Sequence, residues 1–290
     1  QGAQMEGALA RLARRGLALP AGDGAAPKTA TADTFRDAAQ AGSLADLSVE
    51  AEATRPETLE GIMDGVDLIV SSLGITRQAD GLGYREVDFQ ANLNLLREAE
   101  AAGVGRFAYV HVLNADAMTD VPLVDAKSAF VDALHASDMP ATVIAPTGYF
   151  SDMGEILTMA RNGRVWLFGG GAHRLNPIHG ADLAVAIADA TDAGRGWAEI
   201  GGPDVMTQGE IACAAFAALG IKPRITYLPD ALRRTGLAVL PLLPRHVSGP
   251  ARFFLTALGM DMVAPRFGTR RLTEHFETLA AEAARQPKGL

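Results

Sequence analysis

Apolar runs and helical patterns alternate along the middle of the chain, between residues 54 and 150. Residues 66–74, 107–113 and 141–145 are short apolar, β-branched or aromatic runs of strand length. Helical patterns occupy 54–65, where Pro56 lies near the first turn, 86–102, and the stretch between the last two strands. This order predicts an α/β fold with a parallel sheet, because each helix can act as a crossover between parallel strands.

Outside that region the pattern is looser. After Phe150 we expect helices over 151–162, 206–219 (closed by Gly220), 247–260 and 271–285, and short strands at 165–168, 198–202 and 224–229. Residues 173–190 start extended and become helical. At the beginning, a glycine-rich start leads into a helical pattern, and the weak signal of 20–46 predicts little more than a short helix near 34–41.

One position of the central pattern is unusual. Leu123, Phe130, Val131 and Leu134 form the apolar face of the helix before residue 141, and Lys127 belongs to the same face. A lysine is seldom buried without a partner, so Lys127 should meet a carboxylate, a backbone carbonyl or a ligand hydroxyl. The alternative is a lysine that lies along the surface with its ammonium group in water.

Composition narrows the classes of function. The 290 residues carry a net charge of -8 with no basic run, which argues against nucleic acid or an anionic membrane surface as the partner. Cys213 is the single cysteine, lies in an apolar segment that predicts a core position, and makes a reducing compartment, the cytoplasm, the expected location. No signal peptide or membrane-spanning run is recognised; residues 237–244 are apolar, but prolines interrupt them.

Several motifs appear in a characteristic order. They are DGVDLIVSSLG, YREVDFQANLNLLREAEAAGVGRFAYV with VLNAD, DAK followed by ATVIAPTGYFSDM, NPIHGADLA, and EIGGPDVMTQGEIA. In this order the chain is similar to the atypical short-chain dehydrogenase/reductase superfamily, most of all to its NmrA-like branch, which also holds isoflavone-reductase-type and divinyl chlorophyllide reductase-type enzymes. The similarity spans about half the chain, from 61 to 212.

The resemblance implies a Rossmann-like, doubly wound parallel sheet that binds NADP or NAD, with NADP preferred, at the carboxyl ends of the strands. A smaller, mostly helical lobe would complete the substrate site. We expect residues 1–150 to form the cofactor domain, 173–222 to rejoin it, and 151–172 with 223–290 to form the substrate-side lobe and cap.

The chain departs from the family at its pyrophosphate-binding turn. Family members open with a strand and a GxxGxxG turn, of which Gly2 and Gly7 match here. We expect that the given sequence begins inside that turn; otherwise another segment, such as 17–20, must supply the central strand. Gly22 and Gly24 are an alternative candidate for the pyrophosphate-binding turn. A flexible loop is the other interpretation of these two glycines.

The second departure concerns the proton donor. Classical members of the superfamily place a tyrosine four residues before the lysine, and Leu123 stands there instead. The resemblance still assigns Lys127 to the nicotinamide ribose, and the proton would come from elsewhere. We expect Tyr149 or His179 to donate it, which gives Lys127, Tyr149 and His179 as catalytic candidates; an aromatic residue after a strand is also a common packing residue.

The resemblance also marks the cofactor-binding positions. They are Gly2, Gly7, Ser71, Ser72, Leu73, His111, Lys127, Pro146, Thr147, Gly148, Tyr149 and Phe150. Ser71 and Ser72 equally fit a plain strand end, and His111 can face either the nicotinamide or the sheet.

Asn114 and Asn176 are candidate substrate contacts. Asn114 equally fits a turn. In NPIHGAD, helix capping by His179 or Gly180, with Asp182 in the first turn, is the alternative to a binding role. The histidines do not form ligand sets, so we expect no metal, and GxSxG is lacking, so a serine hydrolase is unsupported.

Two functions remain open. The first is an NAD(P)H-dependent oxidoreductase that acts on a small, fairly apolar carbonyl compound or conjugated alkene. The second is a non-catalytic dinucleotide sensor or assembly factor that binds a protein partner. The missing tyrosine favours the second, whereas the lysine on an apolar face and the polar NPIHGAD segment favour the first.

Overall fold

A computed structural model describes residues 30–32, 47–49, 51–75 and 82–285. Gly2, Gly7, Gly22, Gly24 and the segments expected at 17–20 and 34–41 therefore lie outside the described residues. The strands are β1 (Ala30–Ala32), β2 (Leu47–Val49), β3 (Leu68–Ser71), β4 (Arg106–Val110), β5 (Ala141–Pro146), β6 (Val165–Phe168), β7 (Arg174–Leu175), β8 (Trp197–Ile200), β9 (Met206–Thr207) and β10 (Ile225–Leu228). The α-helices are α1 (Asn92–Ala101), α2 (Pro122–Ala136), α3 (Phe150–Arg161), α4 (Gly180–Asp192), α5 (Gln208–Ala218), α6 (Asp230–Val239), α7 (Arg245–Ala257) and α8 (Leu272–Arg285).

The main sheet has the order β3-β4-β5-β8, and every neighbouring pair is parallel. Because the strands are parallel, the carboxyl ends of β3, β4 and β5 lie at one edge of the sheet. β1 pairs with β2 and β6 with β10, both in parallel, while β7 and β9 form a short antiparallel pair. A Rossmann-like parallel fold, as the alternating pattern predicts, is confirmed.

Helices cover both faces of the main sheet, as doubly wound folds require. Successive side chains of a strand point to opposite faces. In β4, Phe107 and Tyr109 pack with Phe130 of α2, whereas Ala108 and Val110 pack against residues of α4. α1 and α2 therefore cover one face and α4 the other.

Two local predictions are wrong. Residues 54–65 form a short 3₁₀ turn, Pro56–Thr58, followed by further turns, because Gly61 and Gly65 adopt positive φ angles that end helical structure. Cys213 is exposed, not in the core, because α5 buries the face that carries Ile211, Ala215 and Phe216.

The later part of the chain contains one helix that the sequence pattern missed, α6. It packs against α7, and α7 in turn contacts α2. Among the described residues, no helix is long and apolar enough to cross a membrane.

Candidate functional site

Lys127 is the central side chain of the candidate site. It lies on the sheet-facing side of α2, and its side chain is 11% exposed. Its ammonium group donates to the carbonyl oxygen of Val110, at 3.3 Å, and to the hydroxyl of Tyr109, at 3.4 Å. Because Val110 ends β4, the ammonium group lies at the carboxyl edge of the sheet. The prediction that Lys127 is buried and has partners is confirmed.

The third partner of Lys127 is Asp88, which the sequence analysis did not single out. Its Oδ1 lies 3.4 Å from Nζ, and its Oδ2 accepts a hydrogen bond from the N–H of Ile75. Oδ1 is buried and has no hydrogen-bond partner among the described residues. Gly74 makes this approach possible, because a Cβ there would lie 2.4 Å from Asp88 Oδ1 and 3.0 Å from Lys127 Nζ.

Asp88 is positioned by a π-helical segment, Arg85–Ala91, that precedes α1. Such segments are rare and occur often at functional sites. Asn92, one turn after Asp88, is fully buried and donates to the carbonyl oxygens of Leu73 and Asp88. Its Oδ1 accepts from the hydroxyl of Ser71 at 2.5 Å. The helix is therefore fixed to the end of β3.

The predicted residues Ser71, Ser72 and Leu73 lie at this same end of β3. Ser71 is buried, and its hydroxyl oxygen also accepts from the N–H of Leu73 at 3.3 Å. Ser72 and Leu73 are half-buried. The Ser71 hydroxyl therefore stabilises the chain segment that follows β3 and connects it to Asn92.

Burial and charge shift the pKa values of the cluster. Burial raises the pKa of Asp88 to about 6, against the opposing effect of the Lys127 charge. Burial acts to lower the pKa of Lys127, but interactions with Tyr109 and Asp88 outweigh it, so the pKa lies above its ordinary value. At neutral pH both members of the pair are therefore charged, and the cluster holds a buried cation beside a carboxylate that protonates readily.

His111 follows β4 and lies on the same side of the sheet as Tyr109. It is buried, its Nε2 lies 3.5 Å from the hydroxyl of Ser128, and its ring contacts Trp197 edge-on. Burial, aided by the charge of Lys127, lowers its pKa to about 4. The imidazole is therefore neutral at neutral pH, and its Nδ1 has no hydrogen-bond partner among the described residues.

The loop after β5, from Pro146 to Phe150, is largely bound to neighbouring backbone. The N–H of Thr147 donates to Ile200 and that of Phe150 to Ile178, while Ile178 donates to Gly148. The N–H of Tyr149 donates to Asp152. None of these hydrogen bonds of the described loop involves the N–H of Gly148, while its carbonyl oxygen accepts from Ile178.

Tyr149 begins α3 at this loop and is half-buried. Burial raises the pKa of its phenol to about 12, and the charge of Lys127 acts in the opposite direction. The structure therefore brings Tyr149 within the electrostatic influence of Lys127. Phe150, by contrast, is a buried core residue whose ring contacts His179 and His275.

The two asparagines predicted to contact substrate are engaged by the protein. Asn176 is fully buried; its amide donates to the carbonyl oxygens of Gly202 and Ala264 and accepts from the N–H of Ala264, each at 3.0 Å. Asn114 has a φ of 57° and donates to the carbonyl oxygen of Asp261. The turn proposed as the alternative role of Asn114 is present.

His179 and Asp182 lie at the beginning of α4. His179 is the N-cap, and its Nδ1 accepts from the N–H of Ala181 at 3.1 Å. Asp182 is in the first turn, and its carboxylate accepts from the N–H groups of Thr269 and Arg270 and pairs with the Arg270 guanidinium. The capping role is therefore present, and Asp182 ties α4 to a distant segment.

The structure thus gathers Lys127, His111, Tyr149 and the end of β3 at one edge, and it adds Asp88, Asn92 and Tyr109. The motif VDFQAN contains Asp88 and Asn92 one helical turn apart, a spacing that places both on one face. This spacing is the sequence signal from which Asp88 and Asn92 could have been identified. Across the described ranges, no group of three or more His, Cys, Asp or Glu residues is placed to hold a metal ion.

A dinucleotide fits this arrangement in part. The described residues offer the buried ammonium group of Lys127, the Asp88 carboxylate that is paired with it at 3.4 Å, and at Gly148 a glycine backbone that permits close approach. These are groups that can bind the hydroxyls of a ribose and a carboxamide. The residues expected to meet the pyrophosphate, Gly2 and Gly7, lie outside the described residues.

Comparison with known proteins gives concordant similarities. Residues 25–193 match the model of a family described as NAD(P)H-binding. The chain is 26% identical over 184 residues to the photosystem II assembly factor Ycf39 of Synechocystis sp., covering 62% of this chain and 56% of the relative. It is 30% identical over 180 residues to the chloroplastic divinyl chlorophyllide a 8-vinyl-reductase of Zea mays, covering 56% and 43%.

Among solved structures, the NADPH-dependent quinone oxidoreductase QOR2 of Escherichia coli, complexed with NADPH, aligns with a TM-score of 0.67 and 20% identity. That alignment covers 94% of this chain and 97% of the other. At 20% sequence identity, this similarity shows only that the two proteins share a fold. The chain spans about half the length of the curated relatives that it matches, 56% and 51% for two of them.

Proposed function

Since the chain belongs to the NAD(P)H-binding family, we propose that it is an NAD(P)H-dependent oxidoreductase that acts on a small, fairly apolar carbonyl compound or conjugated alkene. When bound, NAD(P)H supplies a hydride. The observation that carries the proposal is the buried ammonium group of Lys127 at the carboxyl edge of the sheet, beside Val110, Tyr109 and Asp88.

Lys127 holds the nicotinamide ribose in this proposal. A buried ion pair seldom stabilises a fold more than apolar side chains of similar size would. Stability alone therefore does not explain the ion pair of Lys127 and Asp88. The pair lies at the strand ends, where open α/β sheets bind ligands, and this location supports a binding role for Lys127. Asp88 is a positioning residue, because its carboxylate fixes the ammonium group.

Tyr149 and His179 are the two proton donors that we propose. The raised pKa of Tyr149, about 12, keeps its phenol protonated at neutral pH, and the nearby Lys127 charge would stabilise the phenolate left after donation. In His179, Nδ1 accepts the N–H of Ala181, so the neutral ring carries its proton on Nε2. Tyr109 also touches Lys127, but it is fully buried and so unable to reach a substrate without movement.

The substrate side is proposed to consist of residues 151–172 and 223–290. β6 and β10 pair within this region, and α7 packs on α2, the helix that carries Lys127. Phe253 and Met260 extend the apolar cluster that includes Leu113 and Leu123, near the end of β4. This apolar surface suits a small apolar substrate. We propose NADP as the preferred cofactor, in line with the NADPH bound to the E. coli oxidoreductase of similar fold.

The first test is a calorimetric titration of the full chain with NADPH and with NADH. Replacing both members of the pair, as Lys127→Met with Asp88→Asn, avoids leaving one buried charge alone. We expect this double variant to bind NADPH at least about tenfold more weakly, because it loses one charged hydrogen bond to the ribose. The matched control is Lys222→Met, which removes an exposed lysine and should leave the affinity unchanged. Equal affinities of the wild type and the double variant would refute the role of Lys127.

The second test is turnover. Oxidation of NADPH is followed by absorbance with a panel of quinones, aldehydes and enones, using the wild type, Tyr149→Phe and His179→Gln. Loss of kcat in one variant, with unchanged NADPH affinity, identifies the proton donor.

A non-catalytic dinucleotide sensor or assembly factor is the second candidate. Leu123 at the position of the usual tyrosine favours it, as does the similarity to an assembly factor. Tight NADPH binding without turnover on any of these acceptors would support this role over that of an oxidoreductase.

A further inference from the structure

The apolar cluster at the carboxyl end of β4, which we call the Tyr84 cluster, contains one polar side chain. Tyr84 itself is 4% exposed. The other buried members of the cluster that the structure describes are apolar, with Leu113, Leu123 and Met262 among them. Phe253 and Met260, which extend the cluster, belong to the part of the chain that we propose for the substrate side. The phenol of Tyr84 therefore lies within the apolar surface proposed for the substrate.

The hydroxyl of Tyr84 is buried and has no hydrogen-bond partner among the described residues. Buried polar groups in folded proteins nearly always have a partner, because the loss of hydration is otherwise uncompensated. Ligand pockets are mostly apolar and contain a few polar groups that fix the orientation of the ligand. The Tyr84 hydroxyl has the properties of such a group.

Tyr84 also lies next to the charged pair of the candidate site. It immediately precedes the π-helical segment Arg85–Ala91, four residues before Asp88, so both side chains project from the same side. Burial, together with the charge of Asp88, raises the pKa of the Tyr84 phenol to about 12. The hydroxyl therefore keeps its proton at neutral pH and can donate it to an acceptor, beside the carboxylate that pairs with Lys127.

α7 covers this hydroxyl. A Cβ at Gly249 would lie 2.8 Å from the hydroxyl oxygen of Tyr84 and 2.7 Å from a ring carbon, so the glycine lets the helix lie directly on the ring. The next residue, Pro250, is inside the helix. Proline lacks the N–H that an intrahelical hydrogen bond needs. The helix is therefore held by fewer hydrogen bonds at the point where it covers the phenol.

We propose that the Tyr84 hydroxyl donates a hydrogen bond to a carbonyl oxygen of the substrate, with α7 displaced at Gly249 to admit it. This inference rests on the proposed function, and it selects neutral apolar compounds that carry a carbonyl oxygen over alkenes that lack one. The carboxylate of Asp88 disfavours an anionic group beside the hydroxyl, because like charges repel. Tyr84 is then a specificity-determining residue, and the proton still comes from Tyr149 or His179.

Binding of two matched probes tests this inference. 1-Indanone and indane have the same ring skeleton and differ by the carbonyl oxygen. Dissociation constants of both are measured by ligand-observed NMR with the full chain and NADP⁺, which carries no hydride to transfer. We expect Tyr84→Phe to lower the ratio of the indane constant to the 1-indanone constant about tenfold, because the carbonyl oxygen loses its donor.

Met118→Leu is the matched control, because it changes an apolar member of the same cluster at similar volume. It should affect both probes alike and keep the ratio of the wild type. Tyr84→Phe should not lower the midpoint of urea unfolding, because its hydroxyl has no partner to lose among the described residues.

Absence of 1-indanone binding to the wild type, or an unchanged ratio in Tyr84→Phe, overturns the proposal. So does a lower unfolding midpoint of Tyr84→Phe, which would assign the hydroxyl a partner within the folded protein. The measurement needs no turnover, so its outcome is separate from that of the oxidoreductase test. A lowered ratio in Tyr84→Phe without turnover of any acceptor would refute the oxidoreductase and retain the carbonyl-binding site.

Discussion

Asp88 and His111 are buried at the candidate site and have pKa values shifted in opposite directions. Burial raises the pKa of the Asp88 carboxyl group to about 6 and lowers that of the His111 imidazole to about 4. In both cases burial favours the neutral form. Each shift makes the stability of the protein depend on pH, because the folded and unfolded states bind protons with different affinity.

The sign of the two contributions differs. Between pH 4 and 6 the folded protein holds a proton on Asp88 that the unfolded chain has lost, so this contribution to stability is present below pH 4 and is lost as the pH rises through 6. His111 acts the other way. The unfolded chain binds its proton up to the ordinary pKa of 6.5, so this contribution grows as the pH rises from about 4 to 6.5.

We predict that Asp88→Asn changes the pH profile of unfolding. The free energy of unfolding of the wild type, measured relative to this variant by urea denaturation, should fall as the pH rises from 4 to 6, by at most about 1.4 kcal/mol per pH unit. The His111 contribution is present in both proteins and largely cancels in the difference. Parallel pH profiles of the two proteins would contradict the raised pKa of Asp88.

Sequence reasoning identified that Lys127 needs a partner but not which residue supplies it. The rule it used is local: a lysine on an apolar helix face is buried and must be paired. Asp88 and Tyr109 lie on other elements, and only the pairing of β3 with β4 brings them together. The substrate role predicted for Asn176 stays a prediction. The structure adds the contacts of its amide with Gly202 and Ala264, which the sequence could not show, because a polar residue before a helix does not reveal which backbone groups surround it.

At the level of elements, Gly268 shows how a distant segment fixes the beginning of α4. Asp182, in the first turn of α4, accepts hydrogen bonds from the N–H groups of Thr269 and Arg270. Gly268 has a φ of +82°, and a Cβ there would lie 2.2 Å from Asp182 Oδ2. Both the conformation and the space therefore require glycine.

We predict that Gly268→Ala destabilises the protein by about 2 to 4 kcal/mol, because it adds a steric clash to backbone strain. Gly103→Ala is the matched control. Gly103 has a similar φ, +70°, but no atom lies within 4 Å of its Cβ position, so about 1 kcal/mol of strain is expected. Thermal or chemical unfolding measures both losses. Equal losses in the two variants would show that Asp182 moves away at little cost.

Element prediction succeeded where tertiary packing agrees with the local pattern. β4, β5 and α2 occur close to their expected positions because apolar periodicity alone determines which side is buried. It failed at 54–65, where the conformation of Gly61 overrides a helical pattern, and it missed α6, which has no buried residue and so no apolar face directed to the core. The π-helical form of 85–91 has no comparable sequence signal.

At the scale of the whole molecule, the Rossmann-like parallel fold and the NAD(P)-binding family expected from the ordered motifs are confirmed. The order of motifs carried that inference, because each fixes one strand or helix of the same sheet. The sequence could not indicate that Leu232, Val239 and Leu242 are exposed, since apolar residues in a helical region are ordinarily assigned to the core. The division into a cofactor domain and a substrate-side lobe remains a prediction.

Asn176 joins three distant parts of the chain. Its side-chain amide binds Gly202, which follows β8, and Ala264, near the C-terminal segment. Its backbone carbonyl oxygen accepts from the Thr147 hydroxyl at 2.6 Å. A Cβ at Gly201 would lie 2.1 Å from the Asn176 amide nitrogen, so the contact is tight. Truncation of Asn176 would leave buried carbonyl and N–H groups without partners.

We therefore predict that Asn176→Ala lowers the free energy of unfolding by about 2 to 4 kcal/mol, while the affinity for NADPH at a temperature where the variant is folded changes by less than about twofold. Asn162→Ala, at the exposed end of α3, is the control and should be close to neutral. Urea unfolding and calorimetry give the two quantities separately. If Asn176→Ala instead kept its stability and raised the KM of a reducible substrate, the amide would act on the substrate, as the NPIHGAD motif first suggested, and the backbone contacts of Asn176 would contribute little to holding the three segments together.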